Sequence, residues 1–228
     1  MRNGARMSRT ASRLPVAGGE WALLAALAAC YPASLVLPAA WSREGGLLES
    51  LQVAVLGAGC MLALLACVRT RPARVAMLAL WAAPVWLLLA GRELSWGRAW
   101  LQQPGGEAMA VAALWIGPLA RLAAAALLGW LVFSAWRYRM LGPVRAAFAR
   151  RVPWPCLFVL LAGAAGSTCA EGHMACHLDM AATSAQLFEE LCELLAYGAL
   201  VMTQHVVFTH QIPARLAPMI VHPVEEAR

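Results

Sequence analysis

The chain has 228 residues, of which 61% are hydrophobic and only 13% charged, a balance that soluble domains do not reach. So few charges cannot cover so apolar a mass in water, which excludes an ordinary soluble enzyme and makes the lipid bilayer the expected surroundings. The net charge of +6 does not point to nucleic acid, because the basic residues fall in separate clusters with no aromatic-interleaved patch.

Arg2, Arg6, Arg9 and Arg13 open a basic segment over residues 1–18. A first apolar run follows at 21–40, with Pro32 as an internal kink. Leu27-Ala28-Ala29-Cys30 has the pattern of a lipidation site behind a basic leader. The run nevertheless continues from Tyr31 to Leu37, so a transmembrane helix is the preferred reading. The second run covers 47–68 and the third 73–90, each near the roughly 20 residues that cross a hydrocarbon core.

The stretch 108–136 is too long for one upright span and holds Gly117, Pro118 and Arg121. Proline suits a first helical turn, so the fourth span is expected to start near Pro118, with 108–116 as an interfacial or re-entrant piece. That placement puts Arg121 near a membrane surface instead of at the bilayer centre, where arginine is costly. The fifth span covers 152–170. The sixth starts after Thr183, whose spacing to Gln186 fits a capping box, and runs to Phe208. Residues 19–210 then form one six-span domain, and 211–228 a C-terminal tail.

Charge orients this all-α, polytopic membrane bundle. Arginine clusters mark the N-terminus and alternate connections (Arg69, Arg71, Arg74; then Arg137, Arg139, Arg145, Arg150, Arg151), which is the positive-inside pattern. With both termini cytoplasmic, all but four of the 18 basic residues lie inside, the exceptions being Arg43, Arg92, Arg98 and Arg121. All but three of the 12 acidic residues, Glu20, Glu225 and Glu226, lie outside.

Most side chains able to do chemistry therefore gather at the outer face. Glu49 and Gln52 share a face of the second span. Gln186, Glu190, Glu193 and Tyr197 follow helical spacing in the sixth, with Glu189 one position round. Arg92 and Glu93 end the third span and Arg121 opens the fourth. Ion pairs that fix helix register are one reading of these groups. The other is a pocket lined by Glu49, Gln52, Arg92, Glu93, Arg121, Glu189, Glu190 and Glu193, in which surplus acids attract a proton or cation. Trp96 and Trp100 suit the interface beside it.

Between the last two spans, His173 and His177 stand four apart, so on a helix they would share a face as zinc-binding pairs do. With Glu171, Asp179 or a glutamate of the sixth span they would make a three-ligand metal site with an open position for water. Polar loop histidines are the competing reading. Cys169 and Cys176 flank the same loop and suit either a disulfide or thiolate ligation. The other cysteines, and the small residues Gly57, Ala162, Gly163 and Gly166, read as packing positions. His205 and His210 close the sixth span at the inner side as interfacial residues. There is no phosphate loop, nucleophile elbow or dinucleotide fingerprint.

Three segments, Glu44-Gly-Gly-Leu-Leu-Glu-Ser-Leu-Gln52, Arg92-Glu-Leu-Ser-Trp-Gly-Arg98 and Phe188-Glu-Glu-Leu-Cys-Glu-Leu194, resemble a loose group of bacterial inner-membrane proteins. That group pairs an E-x-G-x-x-E opening with an R/E-E-x-S-W-G element and a late E-E-x-x-E helix. The resemblance implies placement and topology but no particular reaction. The leading expectation is a protein that binds or passes a cation, proton or small amphiphile, alone, as a homo-oligomer or within a membrane complex. The alternative is a membrane-embedded, metal-dependent hydrolase or transferase acting on lipid-like substrates, with zinc on His173 and His177.

Overall fold

The computed structural model describes residues 14–43, 46–69, 73–94, 107–139, 142, 153–172, 176 and 178–208. Among them are six α-helices and no strand. In chain order the helices are α1 (Leu14–Val36), α2 (Leu47–Arg69), α3 (Ala73–Glu93), α4 (Glu107–Arg137), α5 (Trp154–Ala170) and α6 (Ala182–Val206), with a 3₁₀ turn at Ala39–Ser42. Four stretches are long and apolar enough to cross a membrane: Gly18–Val36, Leu47–Arg69, Ala76–Glu93 and Gly117–Arg137. α5 is apolar but shorter, at 17 residues.

Two expected boundaries need correction. α4 does not begin near Pro118. It is one 31-residue helix with the proline inside it, roughly 46 Å at 1.5 Å per residue and longer than the ~30 Å hydrocarbon core. Pro118 removes a single backbone donor, and the alanine- and leucine-rich sequence around it carries the helix through. Within it, Gly117–Arg137 is by itself long and apolar enough to cross a membrane. The capping box is also absent: α6 starts after Ala181 with no side-chain cap, and Gln186 Nε2 instead donates to the Ser42 carbonyl, at 2.8 Å. A carbonyl ending a 3₁₀ turn has no partner within its own element, so Gln186 ties the α1–α2 connection to α6.

α6 is the centre of the bundle. It packs on α5, α2 and α1, while α2 packs on α3 and α4 meets the rest chiefly through α3. Contacts fix the directions. Trp86 and Arg92 of α3 meet Gln204 and Tyr197 of α6, so those helices are antiparallel. Gln52 and Gly59 of α2 meet Glu190 and Gln204, so α2 runs parallel to α6. Ser167 of α5 meets Glu193, and Gly163 lies against Ala196, so α5 runs antiparallel to α6. The ends of α3 and α5 and the starts of α2 and α6 thus share one end of the bundle.

The core forms where α2, α3 and α6 meet, around Leu56, Ala63, Ala83, Trp86 and Tyr197. Gly59, not Gly57, makes the close approach there: a Cβ on Gly59 would stand 2.6 Å from the Trp86 indole, whereas one on Gly57 would meet nothing. On α5 a Cβ at Gly163 would lie 2.7 Å from the Cys192 carbonyl, and one at Gly166 3.0 Å from the Cys192 thiol. Small residues let these helices touch backbone to backbone, as membrane helices do without a hydrophobic drive between them. Leu122, Val132, Trp136 and Leu161 point outward and exposed, an apolar belt suited to lipid.

Candidate functional site

The site stands at the shared end of α2, α3, α5 and α6, and α6 organises it. Residues 186, 190, 193 and 197 advance by four, three and four, so one stripe of the central helix faces α2 and α3 over three turns. Glu193 is buried between neighbours: its Oε1 accepts from Arg92 Nη2 at 2.8 Å and from Ser167 Oγ at 3.1 Å. One turn deeper, the Tyr197 hydroxyl accepts from Arg92 Nη1 at 3.0 Å and donates to Glu93 Oε1 at 2.6 Å. Arg92 also approaches Glu93 directly at 3.5 Å. One guanidinium thus serves two glutamates and a phenol, and its side chain is still 55% exposed.

Glu190 is held differently. Gln52, fully buried on α2, donates Nε2 to both the Glu190 carboxylate, at 2.8 Å, and its backbone carbonyl, at 3.1 Å. The other end of that amide, Gln52 Oε1, is buried with no hydrogen-bond partner among the described residues. A buried acceptor left unpaired costs about 1–3 kcal/mol, so a donor or cation reaching it would be favoured. Glu49, one turn before Gln52, lies close enough to act electrostatically on both Glu93 and Glu190. Glu189, round the helix, contacts the Glu171 carboxyl just past the end of α5.

No protein-family model, curated protein or solved structure matches the chain. The geometry therefore speaks for itself. It brings together Glu49, Gln52, Arg92, Glu93, Glu190 and Glu193, with Glu189 and Glu171 alongside. Arg121 lies exposed on α4 and forms no ion pair with the described acids, so it does not join this network. His173 and His177 lie outside the described residues. Asp179 is exposed beyond α5. Among the described residues no three His, Cys, Asp or Glu side chains converge as metal ligands. Cys169 and Cys176 form a disulfide across the turn after α5, which leaves no thiolate there for a metal. Cys30 is buried in an unbroken α1, in contact with the thiol of Cys192.

Sequence reasoning missed Ser167 as a partner of Glu193 and Gln204 as a structural residue. Gln204 Oε1 accepts from Trp86 Nε1 at 2.5 Å, and its Nε2 donates to the Gly59 carbonyl at 2.9 Å. Its signal was available: Gln204 stands seven residues after Tyr197 and continues the same stripe. Ser167 offered none, since a lone serine in an apolar span is more often bonded to its own helix.

Proposed function

We propose that this chain is a multi-pass protein of the bacterial inner membrane whose carboxylate-rich end faces outward and reversibly binds a small cation, the proton first among them, in its own right or as a subunit of a larger membrane assembly. The observation that carries the reading is the imbalance among the described residues at that end. Glu93 and Glu193 share Arg92, and Glu190 is held by a neutral amide. Glu49 lies within electrostatic reach of Glu190, and Glu189 within reach of Glu190 and Glu193. Several like charges within a low-dielectric bundle cannot all stay uncompensated, so the cluster must hold protons or a cation. Orientation is supported from two sides. The Cys169–Cys176 disulfide suits an oxidising compartment, and Arg69, Arg137 and Arg139, the fully described members of the arginine clusters, sit toward the opposite end, as positive-inside sorting requires.

Infrared difference spectra of the purified protein between acid and alkaline pH test this directly. A protonated-carboxyl band should appear and shrink in Glu190→Gln. The reading fails if the spectrum is flat and if neither alkali, alkaline-earth nor alkylammonium ions shift the melting temperature.

A further inference from the structure

A second site lies at the opposite end of the same two helices. Between α3 and α6 a cavity of about 240 Å³ opens on the bundle surface, running from Leu78 to Trp86 on one wall and from Leu200 to Phe208 on the other. Four polar side chains border it, and each is already engaged. Trp81 Nε1 donates to the Leu131 carbonyl of α4, at 3.1 Å. Trp86 Nε1 and both ends of the Gln204 amide are used in the Trp86–Gln204–Gly59 chain, and Thr203 Oγ1 donates to the Ala199 carbonyl. The groove therefore offers its occupant almost nothing but C–H surface. Water gains nothing there, since it needs polar partners. At 240 Å³ it falls below the roughly 300–1,000 Å³ of drug-sized ligand sites, which suits one narrow chain.

The charge beside it has one sign. Arg69 ends α2, Arg137 ends α4, and Arg139 lies in the turn just after it. The Trp81–Leu131 bond sets the register of α4 on α3. With successive spans running in opposite directions, Arg137 lies six residues, about 9 Å, from Leu131 toward the start of α3, just past the Leu78 end of the groove. The described acid at this end is Glu20, near Cys156 at the start of α5.

From the saturated polar lining and the flanking arginines, we infer that the α3–α6 groove is a lipid site: it takes one acyl chain of an anionic phospholipid from the arginine-rich leaflet, with the headgroup phosphate against Arg137 and Arg139. Basic pockets between membrane helices bind anionic headgroups in this way, at about 1 kcal/mol per arginine. Two arginines correspond to a preference of roughly thirtyfold over a zwitterionic lipid. This site is separate from the carboxylate cluster and neither depends on the other.

Native mass spectrometry of the detergent-purified chain, mixed with phosphatidylglycerol or phosphatidylcholine, tests it. Wild type should retain one phosphatidylglycerol in clear preference. Val85→Trp, which fills the groove, should lose the bound lipid of either kind. Arg137→Gln with Arg139→Gln, both at the surface and harmless to packing, should keep a lipid but lose the headgroup preference. The inference is overturned if Val85→Trp melts like wild type and still retains the lipid. It is equally overturned if the arginine variant keeps its preference, or if wild type is a lipid-free dimer that Val85→Trp dissociates, which would seat a second copy in the groove. Should Val85→Trp fail to fold, Ala82→Leu, a smaller filling of the same wall, carries the same two outcomes.

Discussion

The two halves of α6 use the same stripe of one helix for opposite ends. In the half near the α2 start, Glu190, Glu193 and Tyr197 meet Gln52, Arg92 and Glu93; among the described residues acids there outnumber cations, and a buried amide oxygen on Gln52 has no partner. In the other half, Gln204 meets Trp86 and Gly59 with every polar atom matched. A saturated network of neutral groups holds helices together and has nothing left to offer a ligand. An unsaturated, charged one holds helices less well and retains capacity for binding. The difference separates glue from site within one element, and four substitutions press on it.

The largest effect is expected in the saturated half. Trp86→Ala removes the side chain that fills the space over Gly59 and also orphans Gln204 Oε1. Truncating a core tryptophan costs about 3–5 kcal/mol, with little relief here because the Gly59 backbone cannot move in to close the void. Denaturant unfolding of the purified protein should show that loss, while the carboxyl infrared signal of the remaining folded fraction stays as in wild type. A loss under about 1 kcal/mol would mean that the clamp does not hold the bundle.

Arg92→Gln should cost less although it removes a charge. The guanidinium is half exposed, so the penalty for breaking its bonds to Glu193 and Tyr197 is expected near 1–2 kcal/mol, well below that of a fully buried pair. Adding Glu193→Gln should recover part of the loss, because the stranded carboxylate is then gone. A double-mutant cycle with coupling above about 0.5 kcal/mol checks this. Strict additivity would remove Glu193 from the pair.

How much of this was legible in the sequence follows from the same contrast. Charge is conspicuous in an apolar chain, so Gln52, Arg92, Glu93, Glu190 and Glu193 could be placed together before any coordinates, from helical spacing and from the alternation of arginine clusters. Tyr197 was placed on the stripe but not in a role. Arg121 joins the expected set by its charge and its depth. Sequence fixes its depth but not its azimuth, and α4 packs at the edge of the bundle. The clamp was opaque for the converse reason: a glutamine, a tryptophan and a glycine on three helices carry no charge to mark them. The capping box failed because a local motif competes with tertiary acceptors, and the Ser42 carbonyl won Gln186. The start of α4 failed because proline forbids one hydrogen bond, not a helix.

The smallest expected effect is also the most discriminating. Glu190→Gln keeps a side-chain oxygen for Gln52 Nε2 and leaves the bond from Gln52 to the residue's backbone carbonyl intact. Hydrogen bonds between membrane helices average only about 0.6 kcal/mol, so the loss on exchanging a carboxylate acceptor for an amide is bounded near that value. Against it stands the removal of one like charge beside Glu49, Glu93 and Glu193, which relieves repulsion. The two contributions have opposite sign and similar size, so the net change in unfolding free energy should lie within about 1 kcal/mol of zero. If Glu190 belongs to a site, this near-silent change in stability accompanies a clear loss of cation- or proton-dependent signal. A destabilisation beyond about 2 kcal/mol with that signal unchanged would place Glu190 with Gln204, among the residues that only hold the helices together.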